Sequence, residues 1–472
     1  MTEAVLTPGA DLPERGTEQS AGSFSLARGL NALREEMDAP VASFFSSCVH
    51  CGLCATACPF YVETGDPKYT PIHKLEPMRI LWEQEFTFWG KLKSTLREKL
   101  PLEKWGLDKL GLDKLVGGKQ VTDAMLAEWE PLLYDSCTMC GRCSMVCPVG
   151  NDIHYMIRKA REGQVASGHS PEGLIAASVR AVNTGSPMGL KWKTLDVQIK
   201  HVEQSTGLEV PIDKQGADYL VLLSSMEIIN FPEYLEALTK IFAHAGVSWT
   251  LSQQCFEATN AGIQIGSKDI AATLVQRVVD AAEALGVKNV ISPECGHAYT
   301  AIRWEGPNAI KRAYPFKVFH IIEVLEQLRA EGRIKTEGKE DDRLSMHDPC
   351  NLARKSGVIQ QQRNLMDLIA ENFVDLKEHG KMQWCCGAGG GVSSNERAEE
   401  LKLAAFKKKK AQIEEVEPDR MVTMCATCRT QLEEGLEEYT MDIPVVGLTE
   451  LIADHLVEPE EQNTAAAEEA KS

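Results

Sequence analysis

The period of the hydrophobic positions changes partway along the chain. From about residue 218 onward, short apolar runs rich in β-branched residues alternate with segments that have apolar residues at helical spacing. The runs are DYLVLLSS, VSWTLS, NVISPE, RLSMHD and RMVTMC, and the segments between them include YLEALTKIFAHAG and KDIAATLVQRVVDAAEALG. Strands that alternate with helices are typical of α/β domains with mostly parallel sheets. The pattern predicts such a domain over residues 216–456.

The segment from about residue 80 to 130 is predicted to be helical. One part of it, EFTFWGKLKSTLREKLPLEKW, has an apolar stripe flanked by basic residues: Trp89, Leu92, Leu96 and Leu100, with Lys91, Lys93, Arg97 and Lys99 beside them. A basic amphipathic helix either packs its stripe on the protein's own core or lies on an anionic membrane or a partner. Core packing is the commoner arrangement and is the expectation, while the membrane hypothesis stays open.

Both ends of the chain are polar. Residues 1–38 carry few apolar groups and residues 457–472 are acidic and small, so both segments are predicted to be disordered. The chain has no run of eighteen apolar residues, and its N-terminus has no apolar segment typical of a secretory signal. Because the formal net charge is −18, no nucleic-acid partner is expected.

The spacing of the cysteines supplies the candidate chemistry. Two copies of C-x2-C-x2-C-x3-C, each followed by proline, contain Cys48, Cys51, Cys54 and Cys58, then Cys137, Cys140, Cys143 and Cys147. Such runs hold cubane [4Fe–4S] clusters, and the fourth cysteine of each run binds the other cluster. One predicted cluster therefore has the ligands Cys48, Cys51, Cys54 and Cys147, and the other has Cys137, Cys140, Cys143 and Cys58. The 78 residues between the motifs favour an α-helical ferredoxin-like domain over residues 39–168.

A second group of cysteines follows the CCG pattern, which is named for its Cys-Cys-Gly. The group consists of Cys350 in HDPC, Cys385 and Cys386 in WCCGAGGG, and Cys425 and Cys428 in CATC. A zinc ribbon would need two C-x2-C pairs, and a redox C-x2-C alone would not explain the adjacent pair. The five thiols are predicted to form an iron–sulfur catalytic site, with the glycine run Gly387–Gly391 open to a substrate.

The α/β region contains an internal repeat. Cys255 corresponds to Cys386 at an offset of 131 residues, and Cys295 corresponds to Cys425 at an offset of 130. Two lobes are therefore predicted, a first lobe over residues 216–330 and a second lobe over residues 340–456. The first lobe is degenerate in its CCG cysteines, so only the second is expected to hold a cluster. Cys255, Cys295 and His297 are expected to line open space beside that cluster.

Together these motifs resemble the heterodisulfide reductase family, and specifically its D subunits, in which a ferredoxin-like part is fused to a CCG part. The stretch from Cys48 to Pro71 is similar to K subunits of sulfite-reduction-associated membrane complexes and to heterodisulfide-reductase-like proteins of sulfur oxidation. The resemblance covers residues 40–456. It implies two cubane [4Fe–4S] clusters and one noncubane [4Fe–4S] cluster held by the five CCG cysteines. His347 and Trp384 are expected to shape the hydrogen bonding and solvent access of that cluster.

The resemblance implies an iron–sulfur oxidoreductase subunit that reduces or forms a disulfide or another sulfur–sulfur bond in sulfur metabolism. The alternative is an electron-transfer subunit of a flavin-dependent glycolate, lactate or glycerol-3-phosphate dehydrogenase complex, because the same modules occur there. Expected partners are other redox subunits, either cytochrome-type membrane proteins or flavoproteins, and a free or protein-bound disulfide or thiol substrate. Since cluster cysteines must stay reduced, a cytoplasmic location is expected, with the chain peripheral on the inner face of the membrane.

Overall fold

The computed structural model describes residues 24–99 and 119–457. The chain divides into two compact units. The first unit consists of Met1–Ser178, Ala261–Ile270 and Gly387–Lys408, and the second of Val179–Asn260, Ala271–Cys386 and Lys409–Ser472. Among the described residues, no helix is both long enough and apolar enough to cross a bilayer.

The described N-terminal part of the chain is helical, as the sequence predicts. Its helices are α1 Leu26–Glu35, α2 Ala39–Ser47, α3 Pro59–Thr64, α4 Glu76–Glu85, α5 Phe88–Lys99, α6 Asp123–Tyr134, α7 Arg142–Met145, α8 Ile153–Ser167, α9 Glu172–Thr184 and α10 Trp192–Thr206. Helix α5 falls within the segment predicted to be helical, and helices α4 and α6 overlap its two ends. Residues 100–118 of that segment lie outside the described residues.

The N-terminal segment contains a helix where disorder was expected. Helix α1 begins after Ser25, whose side chain accepts a hydrogen bond from the Arg28 amide, and its Leu33 side chain is fully buried. An added Cβ on Gly29 would lie 2.6 Å from the Cβ of Ser167, so α1 crosses α8 closely. The disorder prediction is therefore wrong from residue 24 onward. It rested on the small number of apolar residues, and that number does not include Gly29, which allows the close helix contact. Residues 1–23 and 458–472 of the predicted disordered ends lie outside the described residues.

The basic amphipathic helix α5 does not bury its apolar stripe as expected. Trp89 is 68% exposed and Leu92 is 40% exposed. An added Cβ on Gly90 would overlap the carbonyl oxygen of Glu83, so α5 packs on α4 through its glycine side. The expectation of core packing is therefore wrong for Trp89 and Leu92. The side chains of Leu96 and Leu100 lie outside the described part of the chain.

Two four-stranded parallel sheets make up the strand content of the second unit, so the α/β prediction is confirmed. The strands are β1 Tyr219–Val221, β2 Trp249–Thr250, β3 Asn289–Ser292, β4 Lys317–His320, β5 Glu340–His347, β6 Ala370–Phe373, β7 Arg420–Thr423 and β8 Val445–Gly447. The first sheet has the order β2-β1-β3-β4 and the second the order β6-β5-β7-β8. Both sheets thus place their first and third strands side by side, with all neighbours parallel.

Helices connect these strands, and apolar side chains from both sheets share one core. The helices are α11 Ser225–Asn230, α12 Glu233–His244, α13 Ala261–Ile265, α14 Lys268–Leu285, α15 Gly296–Thr300, α16 Gly306–Ala309, α17 Ile321–Ala330, α18 Gln360–Ile369, α19 Glu399–Val416, α20 Ala426–Glu438 and α21 Leu448–Asp454. Two short π-helical turns, Ala301–Glu305 and Asn351–Lys355, interrupt the regular pattern. Leu220 and Val290 of the first sheet, and Leu344 and Val422 of the second, belong to this core.

Candidate metal centres

The two ferredoxin-type cysteine loops have the same backbone conformation. His50 and Gly52 flank Cys51 with φ values of 54° and 76°, and Met139 and Gly141 flank Cys140 with φ values of 56° and 76°. Left-handed residues alternating with others turn successive amides toward one side and form concavities that accommodate anions. This conformation lets three closely spaced thiols surround one object, which is the arrangement a cubane cluster needs.

The first loop lies near the last cysteine of the second loop. Burial raises the pKa of the Cys54 thiol to about 11, and the charges of Cys48, Cys51 and Cys147 raise it as well. Cys51 is exposed, whereas Cys54 is buried. The structure thus brings together the four residues that the crossed pattern predicts for one cluster.

The second loop forms a cavity with the last cysteine of the first loop. Cys58, Cys137, Cys140 and Cys143 all line this cavity. Burial and the neighbouring thiols raise the pKa of Cys143 well above its usual value. Four thiols that line one small cavity fit the donor set of a [4Fe–4S] cluster.

A buried lysine that the sequence pattern did not indicate lies at this cavity. Lys74 is 2% exposed, and its Nζ lies 3.8 Å from the Cys58 Sγ. The ammonium group also donates to the Ser136 carbonyl and lies 5.5 Å from the centre of the Phe60 ring. Its charge lowers the pKa of the Cys58 thiol, while burial raises it more strongly. Lys74 therefore offers a fixed positive charge to any anionic group in the cavity.

A second buried cation, Arg161, fixes the backbone beside the same loop. Its side chain is fully buried and stacks on Tyr134, with 4.6 Å from the guanidinium carbon to the ring centre. Its guanidinium donates to four carbonyl oxygens, at Gln264 (2.6 Å), Gly390 (2.7 Å), Leu133 (2.7 Å) and Cys137 (2.9 Å). These four hydrogen bonds compensate most of the cost of burying a guanidinium, which would otherwise be strongly destabilising.

The glycine run after the Cys-Cys pair is packed by protein atoms. An added Cβ on Gly390 would lie 2.6 Å from the backbone carbon of Thr138, and one on Gly391 would lie 3.1 Å from Leu174. The expectation that this run gives open space to a substrate is therefore wrong at Gly390 and Gly391. Gly390 instead allows a close approach of the chain to the second ferredoxin-type loop, and Gly391 packs against α9, both within the first unit.

The CCG cysteines lie at the carboxyl ends of neighbouring strands. Cys350 follows β5, and Cys425 follows β7 as the first residue before α20. These two strands are adjacent, with His347 opposite Thr423. Ligand sites in open parallel sheets form at such a position, where connections leave adjacent strand ends in opposite directions. The strand order thus explains why the CCG cysteines of the second lobe lie at the carboxyl ends of β5 and β7.

All five CCG cysteines are buried, with side-chain exposures between 2% and 5%. The Sγ atoms of Cys386 and Cys428 are 3.4 Å apart, which exceeds the sulfur–sulfur length of about 2.05 Å in a disulfide. A ring nitrogen of His347 and these two Sγ atoms lie within 4.8 Å of one another. Hydrogen bonds from Cys385, Cys428 and His347 hold the pKa of Cys386 well below its usual range. Metals bind cysteine as the thiolate, so a group of buried thiols in which the thiolate of Cys386 is already stabilised fits a metal centre.

Ion pairs hold the loops that carry these cysteines. Asp348, two residues before Cys350, forms a bidentate ion pair with Arg363 at 2.9 and 3.0 Å and accepts a hydrogen bond from the Gly380 amide. Arg354, on the π-helical turn after Cys350, donates to the carbonyl of Gln383, just before the Cys-Cys pair. The loops are thereby fixed to one another by charge-assisted hydrogen bonds, which are stronger than neutral ones.

Lys409 is another buried cation that was not predicted from the sequence. It is fully buried on α19, and Asp348, Cys385, Cys386 and Cys428 act on its charge. Burial lowers its pKa to about 8, whereas these neighbours raise it. A signal was present in the sequence, because Lys409 follows the buried Phe406 by three residues and so lies on the apolar face of its helix.

The residues predicted to surround the CCG cysteines differ in how close they lie to them. Burial, followed by the charge of Lys409, lowers the pKa of His347, which lies among the cysteines as expected. The indole N–H of Trp384 donates to Glu378. Cys295 lies near Cys425, whose charge helps raise its thiol pKa.

Cys255 lies apart from this group. It lines a separate small cavity with Glu257 and Arg277, and burial raises its thiol pKa to about 12. Arg277, Glu257 and Asp280 are the groups whose charges act on it. The expectation that Cys255 lines the space beside the CCG cysteines is therefore wrong.

Two family models match the regions that contain these cysteine groups. A 4Fe-4S dicluster domain matches residues 45–151, and a cysteine-rich domain of the CCG family matches residues 344–433. The chain joins a 4Fe–4S dicluster domain to a CCG domain.

Several known proteins are similar to most of this chain. The "Hdr-like menaquinol oxidoreductase iron-sulfur subunit" of Archaeoglobus profundus is 25% identical, with coverage of 88% of this chain and 80% of the relative. The D subunit of the dihydromethanophenazine:CoB–CoM heterodisulfide reductase of Methanosarcina barkeri is 26% identical, with coverage of 87% and 93%. The "EtfAB:quinone oxidoreductase" of Syntrophomonas wolfei is 25% identical, with coverage of 83% and 55%. The predicted likeness to heterodisulfide reductase iron–sulfur subunits is confirmed.

The position of Lys74 gives a first prediction. Replacing Lys74 with Met removes the charge and keeps an unbranched side chain, so the midpoint potential of the cluster beside Cys58 should fall. We expect a fall of about 60 mV, which is a tenfold change in a one-electron reduction equilibrium. Redox titration of anaerobically purified protein followed by EPR measures it, with Lys74→Arg expected to restore the potential. The exposed Lys191 supplies the control variant Lys191→Met. An unchanged potential in Lys74→Met would show that the charge of Lys74 does not reach the cluster.

Proposed function

We propose that this chain is an iron–sulfur oxidoreductase subunit of the heterodisulfide-reductase type that carries two cubane clusters and one noncubane [4Fe–4S] cluster. The cubane ligands are Cys48, Cys51, Cys54 and Cys147 for one cluster, and Cys137, Cys140, Cys143 and Cys58 for the other. The noncubane ligands are Cys350, Cys385, Cys386, Cys425 and Cys428. The proposal is supported by five buried cysteines in the matched CCG domain: Cys350 and Cys425 follow the adjacent strands β5 and β7, and the Sγ atoms of Cys386 and Cys428 are 3.4 Å apart.

The proposed reaction is the reduction of a disulfide or another sulfur–sulfur bond, or the reverse. Cleavage of a disulfide to two thiols consumes two electrons and two protons. Bound clusters would supply one-electron transfer. The protein's own groups bind and orient: thiols hold the metal, burial excludes water, and the charge of Lys409 stabilises negative charge among Cys385, Cys386 and Cys428. The substrate is a disulfide or thiol, free or protein-bound, in sulfur metabolism.

A second candidate is an electron-transfer subunit whose catalytic step lies in a flavoprotein partner of a glycolate, lactate or glycerol-3-phosphate dehydrogenase type. The likeness to the quinone oxidoreductase of Syntrophomonas wolfei favours it, since that protein's name includes no disulfide. The two candidates differ in one observable property. Only in the first does a disulfide or thiol change the spectrum of the CCG cluster.

We also infer that the two lobes are pseudo-repeats. The identical strand orders β2-β1-β3-β4 and β6-β5-β7-β8 support this, as do the corresponding cysteines at an offset of 130–131 residues. Ser224 follows β1 as Cys350 follows β5, and Cys295 follows β3 as Cys425 follows β7. The first lobe thus keeps the architecture of a CCG site and lacks most of its ligands.

The crossed assignment of the cubane ligands predicts how iron is lost. Cys58→Ala combined with Cys140→Ala removes two ligands of one cluster, so about four irons should be lost from the protein. Cys58→Ala combined with Cys51→Ala damages both clusters, so about eight irons should be lost. Iron and sulfide analysis of the anaerobically purified full chain distinguishes the pairs. The reverse order of losses would refute the crossed assignment.

The CCG site predicts a selective loss of disulfide response. In Cys386→Ser the EPR change that a disulfide produces should disappear, while both cubanes remain reducible by dithionite. Cys255→Ser is the matched control, because Cys255 is also buried and lies in a separate cavity. If Cys386→Ser keeps the disulfide response, the CCG site is not the active site and the electron-transfer candidate becomes the better one.

We propose a cytoplasmic location with peripheral attachment to an anionic membrane, where cytochrome-type or quinone-reactive partners would exchange electrons. The support is helix α5, which exposes Phe88, Trp89 and Leu92 beside the exposed Lys91 and Lys93. Apolar side chains next to lysines are typical of helices that lie in the headgroup region of anionic bilayers.

Vesicle binding tests this location. The protein should co-sediment with vesicles that contain phosphatidylserine and less with neutral vesicles, and salt should weaken the binding. Trp89→Asp with Leu92→Asp should reduce binding at least tenfold. Val197→Asp is the control, because Val197 is 62% exposed on another helix, α10. Equal binding of the double variant and the control would exclude α5 as the attachment site.

A further inference from the structure

The first lobe, which lacks most CCG cysteines, packs directly on the turn that follows Cys350. An added Cβ on Gly296 would lie 2.6 Å from the Leu352 amide nitrogen and 3.1 Å from the Asn351 carbonyl carbon. Since real Cβ contacts are not this short, the backbone of α15 can approach the π-helical turn only at a glycine. This approach places His297, the next residue, beside Asn351.

Asn351 joins His297 to a CCG cysteine. Its Nδ2 lies 2.8 Å from the His297 Nε2 and 3.3 Å from the Cys350 Sγ. A side-chain amide nitrogen carries two hydrogens, so it can donate to both atoms. A thiolate at Cys350 requires the NH2 group, and not the carbonyl oxygen, to face the sulfur. The second N–H then points at His297, whose Nε2 must accept and whose proton must lie on Nδ1.

The geometry requires an acceptor at position 297. Asn351 is 2% exposed, so no bulk water is available to its second N–H. A buried donor without a partner is destabilising, and rotation of the amide would then place its oxygen against the sulfur. His297 therefore fixes which end of the amide faces Cys350.

We propose that His297 is a positioning residue of the CCG centre, which it serves by holding Asn351 so that this amide donates an N–H···S hydrogen bond to Cys350. The inference rests on the proposed function only in taking Cys350 as a cluster ligand. Hydrogen bonds to the sulfurs of an iron–sulfur cluster raise its reduction potential. The first lobe thus takes part in the second lobe's site through a side chain that binds no metal.

The test compares four variants of the full chain by EPR-monitored redox titration. Asn351→Leu removes the donor, His297→Leu removes the acceptor, and His297→Gln restores an acceptor oxygen at a similar reach. His201→Leu is the control, because His201 is exposed on α10. Asn351→Leu and His297→Leu should lower the midpoint potential of the CCG cluster by about 59 mV, a tenfold change for one electron. His297→Gln and His201→Leu should keep the wild-type value, and the cubane potentials should not move.

A double variant separates positioning from a direct effect of the imidazole. Because His297 acts through Asn351, His297→Leu with Asn351→Leu should shift the potential no further than Asn351→Leu alone. Additive shifts, or an unchanged potential in His297→Leu, would overturn the proposal. If His297→Leu loses the cluster and His297→Gln keeps it, an acceptor at position 297 is needed even for the cluster to be held, which supports the proposal. Loss in both variants would contradict it.

The proposed function fails separately from this inference. If the wild-type CCG cluster shows no spectral change with a disulfide, the disulfide reaction is refuted. The shift between His297→Leu and His297→Gln still measures the hydrogen bond in that case. If His297→Leu and Asn351→Leu both keep the wild-type potential of the CCG cluster while the disulfide response is intact, only the inference is refuted.

Discussion

Burial of thiols that must become thiolates is the constraint on which both cysteine regions depend. A negative charge taken from water into the protein interior is strongly disfavoured unless positive charge or hydrogen-bond donors compensate it. The structure supplies a buried ammonium in each region, Lys74 beside Cys58 and Lys409 near Cys386. Both lysines have side chains without contact to bulk water, so their charge is poorly screened. The buried cations and the thiolates therefore each lower the cost of burying the other. Burial of either group without the other would be strongly destabilising.

The geometry of the backbone decides where such groups can converge. In the ferredoxin-type loops, left-handed residues on both sides of the middle cysteine bend the chain around one small volume. In the second sheet, convergence comes from topology, because connections from the adjacent strands β5 and β7 diverge and leave a gap at their carboxyl ends. The first solution is local in sequence, whereas the second joins residues about 75 positions apart, from Cys350 to Cys425. This difference explains why short-range spacing identifies the cubane motifs more directly than the CCG site.

Much of the architecture and the candidate ligands could be predicted from the sequence, because they depend on local patterns. Features that depend on contacts between distant residues could not. Cys-Pro endings and strand-like runs are local signals, so the cysteine groups and the parallel α/β character could be predicted. Lys74 could not, because it lies in the short 3-10 turn His73–Leu75, which has no helical periodicity to mark a buried face. The exposed Trp89 and the helix around Leu33 were missed for a common reason. At both places a glycine, Gly90 or Gly29, creates a close helix contact that hydrophobic periodicity does not register.

The first lobe contributes to the surroundings of Cys350 without supplying a CCG cysteine. Gly296, at the start of α15, allows a contact with the turn after Cys350 that a residue with a Cβ could not make. A second contact lies three residues before His297: the Ala426 amide donates to the Glu294 carbonyl at 2.9 Å, and Thr449 donates to the Glu294 carboxyl group. Glu294 and His297 therefore flank Cys295 and both bind the second lobe. A lobe that served only to fill space would need apolar packing, which is not directional. Directional hydrogen bonds at this seam instead fix the position of the turn after Cys350 and of the start of α20, the two elements that carry Cys350, Cys425 and Cys428.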